Sequence, residues 1–237
     1  MVNDLDRLRT EYADREKRLA GSDLYSLTNP ACLFMFQQRQ RAVLRLLQAE
    51  GFGDLSRRTV LELGCGTGRV LNEYMAFGAA PETLHGVDLL PHRLKEAKRL
   101  LPHVDLVCAD GQRLPYADAS FDIVLQYTAF SSILDDSIKA NLASEMLRIL
   151  CSDGLILWYD FWLNPTNPHT KGIRSSEIRM LFPDSRLRFQ RITLAPPITR
   201  RIAPWSWLTC HILESLKIFN THYLVSIRKD RLDHTKI

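Results

Sequence analysis

Apolar positions recur with a helical period over residues 3–20, where Leu5, Leu8, Tyr12 and Leu19 stripe an otherwise charged segment. This predicts a surface helix that ends at Gly21. Asn29-Pro30 then restarts the chain. An Asn cap with proline at the first helical position predicts a longer helix over 31–50, closed by Gly51. From residue 55 the rhythm changes to short, solid apolar runs bounded by Gly, Asp or Pro. Thr59–Leu63, Thr83–Asp88, Val104–Ala109, Phe121–Gln126 and Leu155–Phe161 read as strands. Arg69–Phe77, Pro91–Arg99 and Asp136–Leu150 read as helices between them, with Cys151-Ser152-Asp153-Gly154 as a turn. Solid strands alternating with helices indicate a parallel sheet covered on both faces, and right-handed crossovers make it doubly wound.

After Leu163 the alternation breaks. Residues 164–220 carry Pro165, Pro168, Pro183, Pro196, Pro197 and Pro204 among short helical and strand pieces, and Thr221–Arg228 reads as a final strand. The expected organisation is an N-terminal helical extension over 1–54 and an α/β domain over 55–237. Residues 164–220 are then an insertion that caps the substrate site.

Composition narrows the class. Hydrophobic residues at 46% and charged residues at 24% suit a globular protein, and no apolar run is long enough to span a bilayer. The charged N-terminus lacks the apolar core of a secretory signal. Five scattered cysteines without a CxxC pair argue against a zinc site and a disulfide framework, and fit a reducing cytoplasm. The net charge of +4 conceals an asymmetry. Residues 1–168 hold 18 Lys/Arg against 22 Asp/Glu, and residues 169–237 hold 13 against 5. A basic final third suits an anionic substrate, a nucleic acid, a membrane surface or simply a solvated face.

The chemistry concentrates at the strand ends, where doubly wound sheets bind ligands. Val60-Leu61-Glu62-Leu63 runs into Gly64-Cys65-Gly66-Thr67-Gly68-Arg69. Glycines are needed where a strand turns sharply into a helix and a ligand touches backbone. A dinucleotide fingerprint would place its third glycine at position 69, where Arg69 stands. A carboxylate at Glu62 sits badly beside a pyrophosphate but suits a ligand with an ammonium group. S-adenosylmethionine (SAM) carries one, together with a sulfonium.

On these residues the chain resembles the class I, Rossmann-like SAM-dependent methyltransferases. The motifs follow in the family's order over roughly residues 55–165. The resemblance implies a mostly parallel seven-stranded sheet with helices on both faces, the last strand or two antiparallel, an N-terminal helical lid, and a cap before the last strand. It also implies a cofactor site. Gly64, Cys65, Gly66 and Gly68 form the loop. Asp88, ending the second strand, holds the ribose hydroxyls, as a carboxylate can accept two hydrogen bonds from a diol. Leu89 packs on the adenine, Asp110-Gly111 meets its amino group, and Gln126 lends a backbone carbonyl to the methionine amino group. The product is S-adenosylhomocysteine. Leu114-Pro115-Tyr116-Ala117-Asp118-Ala119-Ser120-Phe121-Asp122 is similar to the family's run into the fourth strand. Similarity to bacterial methyltransferases with a Tyr-Asp-Phe and Asn-Pro-x-Asn-Pro segment, here 159–168, spans nearly the full length but names no acceptor.

The acceptor is less legible. Gln126-Tyr127-Thr128 replaces the motif that base-amine methylation needs, and no interleaved-aromatic RNA module is present, so nucleic acid is disfavoured. No His/Asp/Glu cluster has metal-ligand spacing. The expected acceptor is a small molecule or a glycan- or lipid-linked group, with oxygen ahead of nitrogen or carbon. For a hydroxyl acceptor, Asp160 and His169 are the candidate bases. Tyr12, Arg15 and Tyr25 belong to the expected lid. Trp205, Trp207, Leu208, Ile212, Leu213, Leu216 and Phe219, following Arg200-Arg201, predict a cap helix packed on its own core, with peripheral membrane contact as the alternative. Rival readings are a nicotinamide-dependent oxidoreductase, an RNA modifier using the basic third, and a non-catalytic SAM-binding module. Oligomeric state is left open.

Overall fold

The computed structural model describes residues 4–19, 21–164 and 169–230. Two helices, α1 (Asp4–Leu19) and α2 (Pro30–Ala49), precede an alternating series. This runs β1 (Val60–Leu63), α3 (Arg69–Ala76), β2 (Leu84–Asp88), α4 (Pro91–Leu100), β3 (Asp105–Cys108), β4 (Phe121–Tyr127), α5 (Asp136–Ile149) and β5 (Leu150–Phe161). The chain then forms α6 (Ser175–Leu181), β6 (Ser185–Leu194), α7 (Pro196–Ile202), α8 (Trp207–Ser215) and β7 (Asn220–Lys229). Helix α2 starts where its cap directs: the Asn29 Oδ1 accepts from the amides of Ala31 at 3.0 Å and Cys32 at 3.4 Å.

Seven strands make one sheet in the order β3-β2-β1-β4-β5-β7-β6. The first five are parallel, while β7 runs antiparallel to both β5 and β6. Strand order reverses between β1 and β4, and this switch point opens beyond the strands' carboxyl ends.

Two-residue alternation decides which face each side chain joins. Leu61, Leu63, Val124, Ile156, Trp158, Tyr223 and Val225 pack on one side with α5 and α6 residues such as Met146 and Ile178. Val60, Ile123, Leu125, Tyr127, Leu157, Tyr159 and Leu224 pack on the other with Val43 and Leu47 of α2 and Tyr74 of α3. Glu62 therefore shares a face with Tyr127 and Tyr159. Gln126 and Asp160 share the opposite one.

Two expectations need correction. Cys151-Ser152-Asp153-Gly154 is not a turn between elements; β5 begins at Leu150 and continues through it. Leu150 pairs with Phe121 and Leu155 with Ile123, so the intervening residues form an irregularity within the pairing. Residues 164–220 are not wholly a cap either, because β6 is a ten-residue strand at the sheet edge. The Asn-Pro-x-Asn-Pro segment falls partly on 165–168, outside the described residues.

Candidate active site

The loop after β1 is held from both sides. The Val87 carbonyl accepts from the amides of Gly64 at 2.8 Å and Cys65 at 3.0 Å. The buried Asp88 carboxylate accepts from Gly66 N–H at 2.8 Å through Oδ2 and from Leu90 N–H at 2.9 Å through Oδ1. Both oxygens keep a lone pair for a further donor. Gly66 has a φ of +53°, which disfavours L side chains, and an added Cβ would lie 2.7 Å from Nη2 of Arg93.

Cys65 has a supporting place. Its thiol is buried under the loop against Gly86, and its carbonyl accepts from Gly68 N–H at 2.9 Å. Gly68 gives α3 close approach to α4, since a Cβ there would meet Leu101 Cδ1 at 2.7 Å. Asp110, half-buried, accepts from the Gln112 amide at 2.9 Å, and a Cβ on Gly111 would meet Leu63 Cδ1 at 2.8 Å. Leu89 is half-buried beside Asp88.

Glu62 is buried, and its Oε2 has no hydrogen-bond partner among the described residues. Burial holds its carboxyl well above the ordinary carboxylate range, with Glu73 and Asp88 adding and Arg39 and Arg93 opposing. An orphaned buried carboxyl oxygen invites a ligand cation. The glycine loop, Glu62 and Asp88 thus fit SAM, whose ammonium, sulfonium and ribose diol match a carboxyl, an acidic surrounding and a carboxylate acceptor.

Two arginines belong to this site that sequence reasoning did not single out. The Arg93 guanidinium lies over Gly66 and 4.9 Å from the Tyr12 ring centre, with Glu16 Oε1 3.7 Å from its Nε. Arg39 pairs with Glu73 and lies over the rings of Tyr127 at 5.4 Å and Tyr159 at 5.5 Å. His222 stacks on Tyr159 at 4.7 Å, and burial followed by the Arg39 charge pushes its pKa down to about 3. It is therefore neutral at physiological pH.

Gln126 and Asp160 meet on the opposite face. Gln126 Nε2 donates to Asp160 Oδ2 at 3.2 Å, and Gln126 Oε1 accepts from Ala129 N–H at 3.0 Å. Asp160 also accepts from the amides of Ser131 at 3.0 Å and Phe161 at 2.8 Å. It is 1% exposed, and burial, opposed by those donors, raises its pKa to about 6. His169 lies apart from this pair, at the rim, with Nδ1 3.2 Å from Glu11 Oε2 of α1.

Helix α1 crosses this end of the sheet. Asp4 accepts from the amides of Leu134 at 3.0 Å and Asp135 at 3.2 Å. Arg7 donates to the Ser132 carbonyl at 2.6 Å, and the Tyr12 hydroxyl lies 3.3 Å from Ser132 Oγ. Tyr25 reaches it through its hydroxyl, which accepts from Arg15 at 3.0 Å. Among the described residues no group of three His, Cys, Asp or Glu is placed to hold a metal, and no helix is long and apolar enough to cross a membrane.

Residues 61–158 match the family model of a methyltransferase domain. A phthiotriol/phenolphthiotriol dimycocerosates methyltransferase of Mycobacterium ulcerans is 34% identical over 122 residues, 48% of this chain and 41% of that protein. A malonyl-[acyl-carrier protein] O-methyltransferase of Halorhodospira halophila is 32% identical over 107 residues, 44% of this chain and 35% of its own. The chain thus spans less than half the length of these curated relatives. Among solved structures, phosphoethanolamine N-methyltransferase 1 of Haemonchus contortus, in complex with phosphoethanolamine and S-adenosylhomocysteine, superposes with a TM-score of 0.66 at 13% identity. That match covers 97% of this chain and 50% of the other, and at this identity it speaks to the fold. Sheet order and glycine loop are those of the class I, Rossmann-like fold, and within it residues 61–158 match a methyltransferase domain.

Proposed function

We propose that this chain transfers the methyl group of SAM to an oxygen of a small-molecule or glycan- or lipid-linked acceptor. The observation that carries this reading is the orphaned Glu62 carboxyl beside the Asp88-braced loop, under the crossing helix α1. SAM supplies an electrophilic methyl on a sulfonium. Catalysis then rests largely on alignment and exclusion of water, because in-line displacement at carbon gains most from a fixed approach. Glu62, Asp88 and the loop amides and carbonyls hold the donor. Helix α1, as a lid, narrows the entrance so that a slender acceptor enters rather than a folded polymer.

His169 is the candidate base, half-exposed at the rim and held by Glu11. Asp160, enclosed by three protein donors, acts as a positioning residue through Gln126 and the Ser131 amide. Replacing His169 with Ala is expected to lower kcat by about 100-fold with KM little changed, the loss typical of a missing proton acceptor.

An oxygen as the methylated atom is supported by the name of the Halorhodospira relative, and a lipid-type acceptor by that of the Mycobacterium one. An RNA acceptor is less well supported, since basic side chains on β6 are engaged within the chain. Arg188 pairs with Glu50, and Arg191 lies over the Trp162 ring at 4.7 Å. The test is incubation with methyl-labelled SAM and a cell extract, followed by separation of lipid, small-molecule and RNA fractions. Label in the lipid or small-molecule fraction, lost in Asp88→Ala, is the expected result. Label confined to RNA, or no S-adenosylhomocysteine formed with any fraction, overturns it.

A further inference from the structure

Helix α8 carries two apolar faces, and only one is covered. Trp207, Cys210 and Leu213 face inward: Cys210 is fully buried, and the Trp207 ring centre lies 5.6 Å from that of Phe34 on α2. The other face carries Leu208, Ile212 and Leu216 at four-residue spacing, with Trp205 just before the helix. These are 71%, 54%, 54% and 88% exposed. Ile218 and Phe219 extend the patch. The sequence expectation of a stripe packed on its own core therefore holds for one side of the helix and fails for the other. So many large apolar side chains in one exposed row mark a contact surface.

The charges around the patch indicate its partner. Residues 196–219 contain Arg200, Arg201 and Lys217 against the single carboxylate of Glu214. Glu214 is already engaged by Lys217 Nζ at 2.6 Å. Arg200 and Arg201 are exposed and, among the described residues, make no ion pair. A second copy of the chain meeting this face about a two-fold axis would set like charges together with no free acid to balance them. An anionic lipid surface meets both requirements: an apolar interior for Trp205, Leu208 and Ile212, and phosphates for the arginines.

The position is also suitable. In the pairing of β5 with β7, Phe161 stands opposite His222, so β7 starts at the carboxyl end of β5. Leu194, ending β6, pairs with Asn220 at the start of β7. The α7–α8 segment thus rises from the same end of the sheet as the Glu62 and Asp88 strand ends, on the β6–β7 side of it.

We infer that the Trp205–Leu216 face docks on membrane surfaces carrying anionic lipid. This does not depend on the methyl-transfer reading, because docking is measured without SAM. The full chain is floated with vesicles of phosphatidylcholine mixed with phosphatidylglycerol, and with vesicles of phosphatidylcholine alone. Flotation with the mixed vesicles is expected, weakening with salt, together with a blue shift of tryptophan fluorescence that Trp205→Phe reduces. A Leu208→Ser/Ile212→Ser variant is expected to lose at least tenfold in vesicle affinity, and Arg200→Gln roughly fivefold, as for one cation at a charged surface. Both should keep wild-type melting and S-adenosylhomocysteine affinity, since these side chains lie outside the core. No flotation at low salt overturns the inference, as does equal flotation of the Ser variant. So does a concentration-dependent dimer that the Ser variant abolishes without any vesicle binding.

Discussion

Replacing Glu62 with Gln tests the cofactor site at its most unusual group. In the free protein the carboxyl is buried, lacks a hydrogen-bond partner for Oε2 among the described residues, and ionises well above the ordinary range because of that burial. When a ligand ammonium arrives, the charged form gains a partner and the pKa falls, so binding expels a proton. Affinity should then rise with pH, by up to about tenfold per unit, while pH lies between the bound and free values. Folding of the free protein has the opposite sign. A raised carboxyl contributes stability below its unfolded pKa and loses it as pH rises through the folded value, so a bound cation protects most at higher pH. Glu62→Gln keeps the shape and removes the charge. A charge-assisted hydrogen bond contributes about 2–3 kcal/mol, or roughly 30- to 100-fold in affinity. Calorimetric titration with S-adenosylhomocysteine between about pH 5.5 and 7.5 keeps the ligand amine charged. The wild type should tighten across that window, with a buffer-dependent heat of proton release, while the Gln variant stays flat. Equal affinities at the upper pH, or parallel slopes, would refute this role for Glu62.

Asp88→Ala removes the acceptor of two backbone amides as well as the diol partner, and should weaken S-adenosylhomocysteine by about 100-fold or more in the same titration. Asp160→Asn tests a second raised carboxyl. A shift from 3.8 to about 6 corresponds to roughly 3 kcal/mol, present below the unfolded pKa and lost as pH rises through the folded one. Relative to wild type, the Asn variant should therefore gain roughly 6–12 °C in Tm between about pH 4 and 7, and a difference independent of pH would contradict the burial argument. Gly86→Ala places a methyl group 2.8 Å from Cys65 Sγ and Leu106 Cδ2, and should cost about 1–3 kcal/mol by chemical denaturation. Tyr12→Ala removes the ring over Arg93, and should raise the S-adenosylhomocysteine off-rate by stopped flow if α1 retains the ligand.

The inner parallel strands were legible because burial on both faces leaves β1, β2, β4 and most of β5 as solid apolar runs, bounded by residues that end them, while β3 at the edge is only partly buried. The loop was legible because Gly66 and Gly68 are required locally, by a positive φ and by close approach of a side chain. Strand β6 was harder to see. Arg186-Leu187-Arg188-Phe189-Gln190 does alternate, as a half-exposed edge strand should, but prolines on either side marked the region as irregular. Ser152, Asp153 and Gly154 have turn chemistry, yet here they accommodate an uneven register inside β5 rather than separate two elements. Arg39 and Arg93 were invisible for a different reason. A single arginine on an amphipathic helix carries no local signature, and its role arises only when Glu73, Tyr127 and Tyr159, or Gly66 and Tyr12, are brought to it by the fold.

The same distinction separates two of the carboxyls read as functional from sequence, Glu62 and Asp160. Glu62 and Asp160 each stand next to last in their strands, yet alternation sends them to opposite faces. Glu62 keeps an oxygen without a partner beside the glycine loop, whereas Asp160 uses both oxygens within the protein. Its donor Ser131 lies in the short 3-10 turn Phe130–Ser132, and that turn also receives Arg7 and Tyr12 of α1 at Ser132. A continuous line of contacts therefore runs from the end of β5 through Ser131 and Ser132 to α1, and from Tyr12 to the Arg93 guanidinium over Gly66. A buried acid that fixes this turn also fixes the helix bonded to it. The proposed positioning role of Asp160 rests on this line of contacts, and the proposed ligand-binding role of Glu62 on an oxygen without a partner among the described residues.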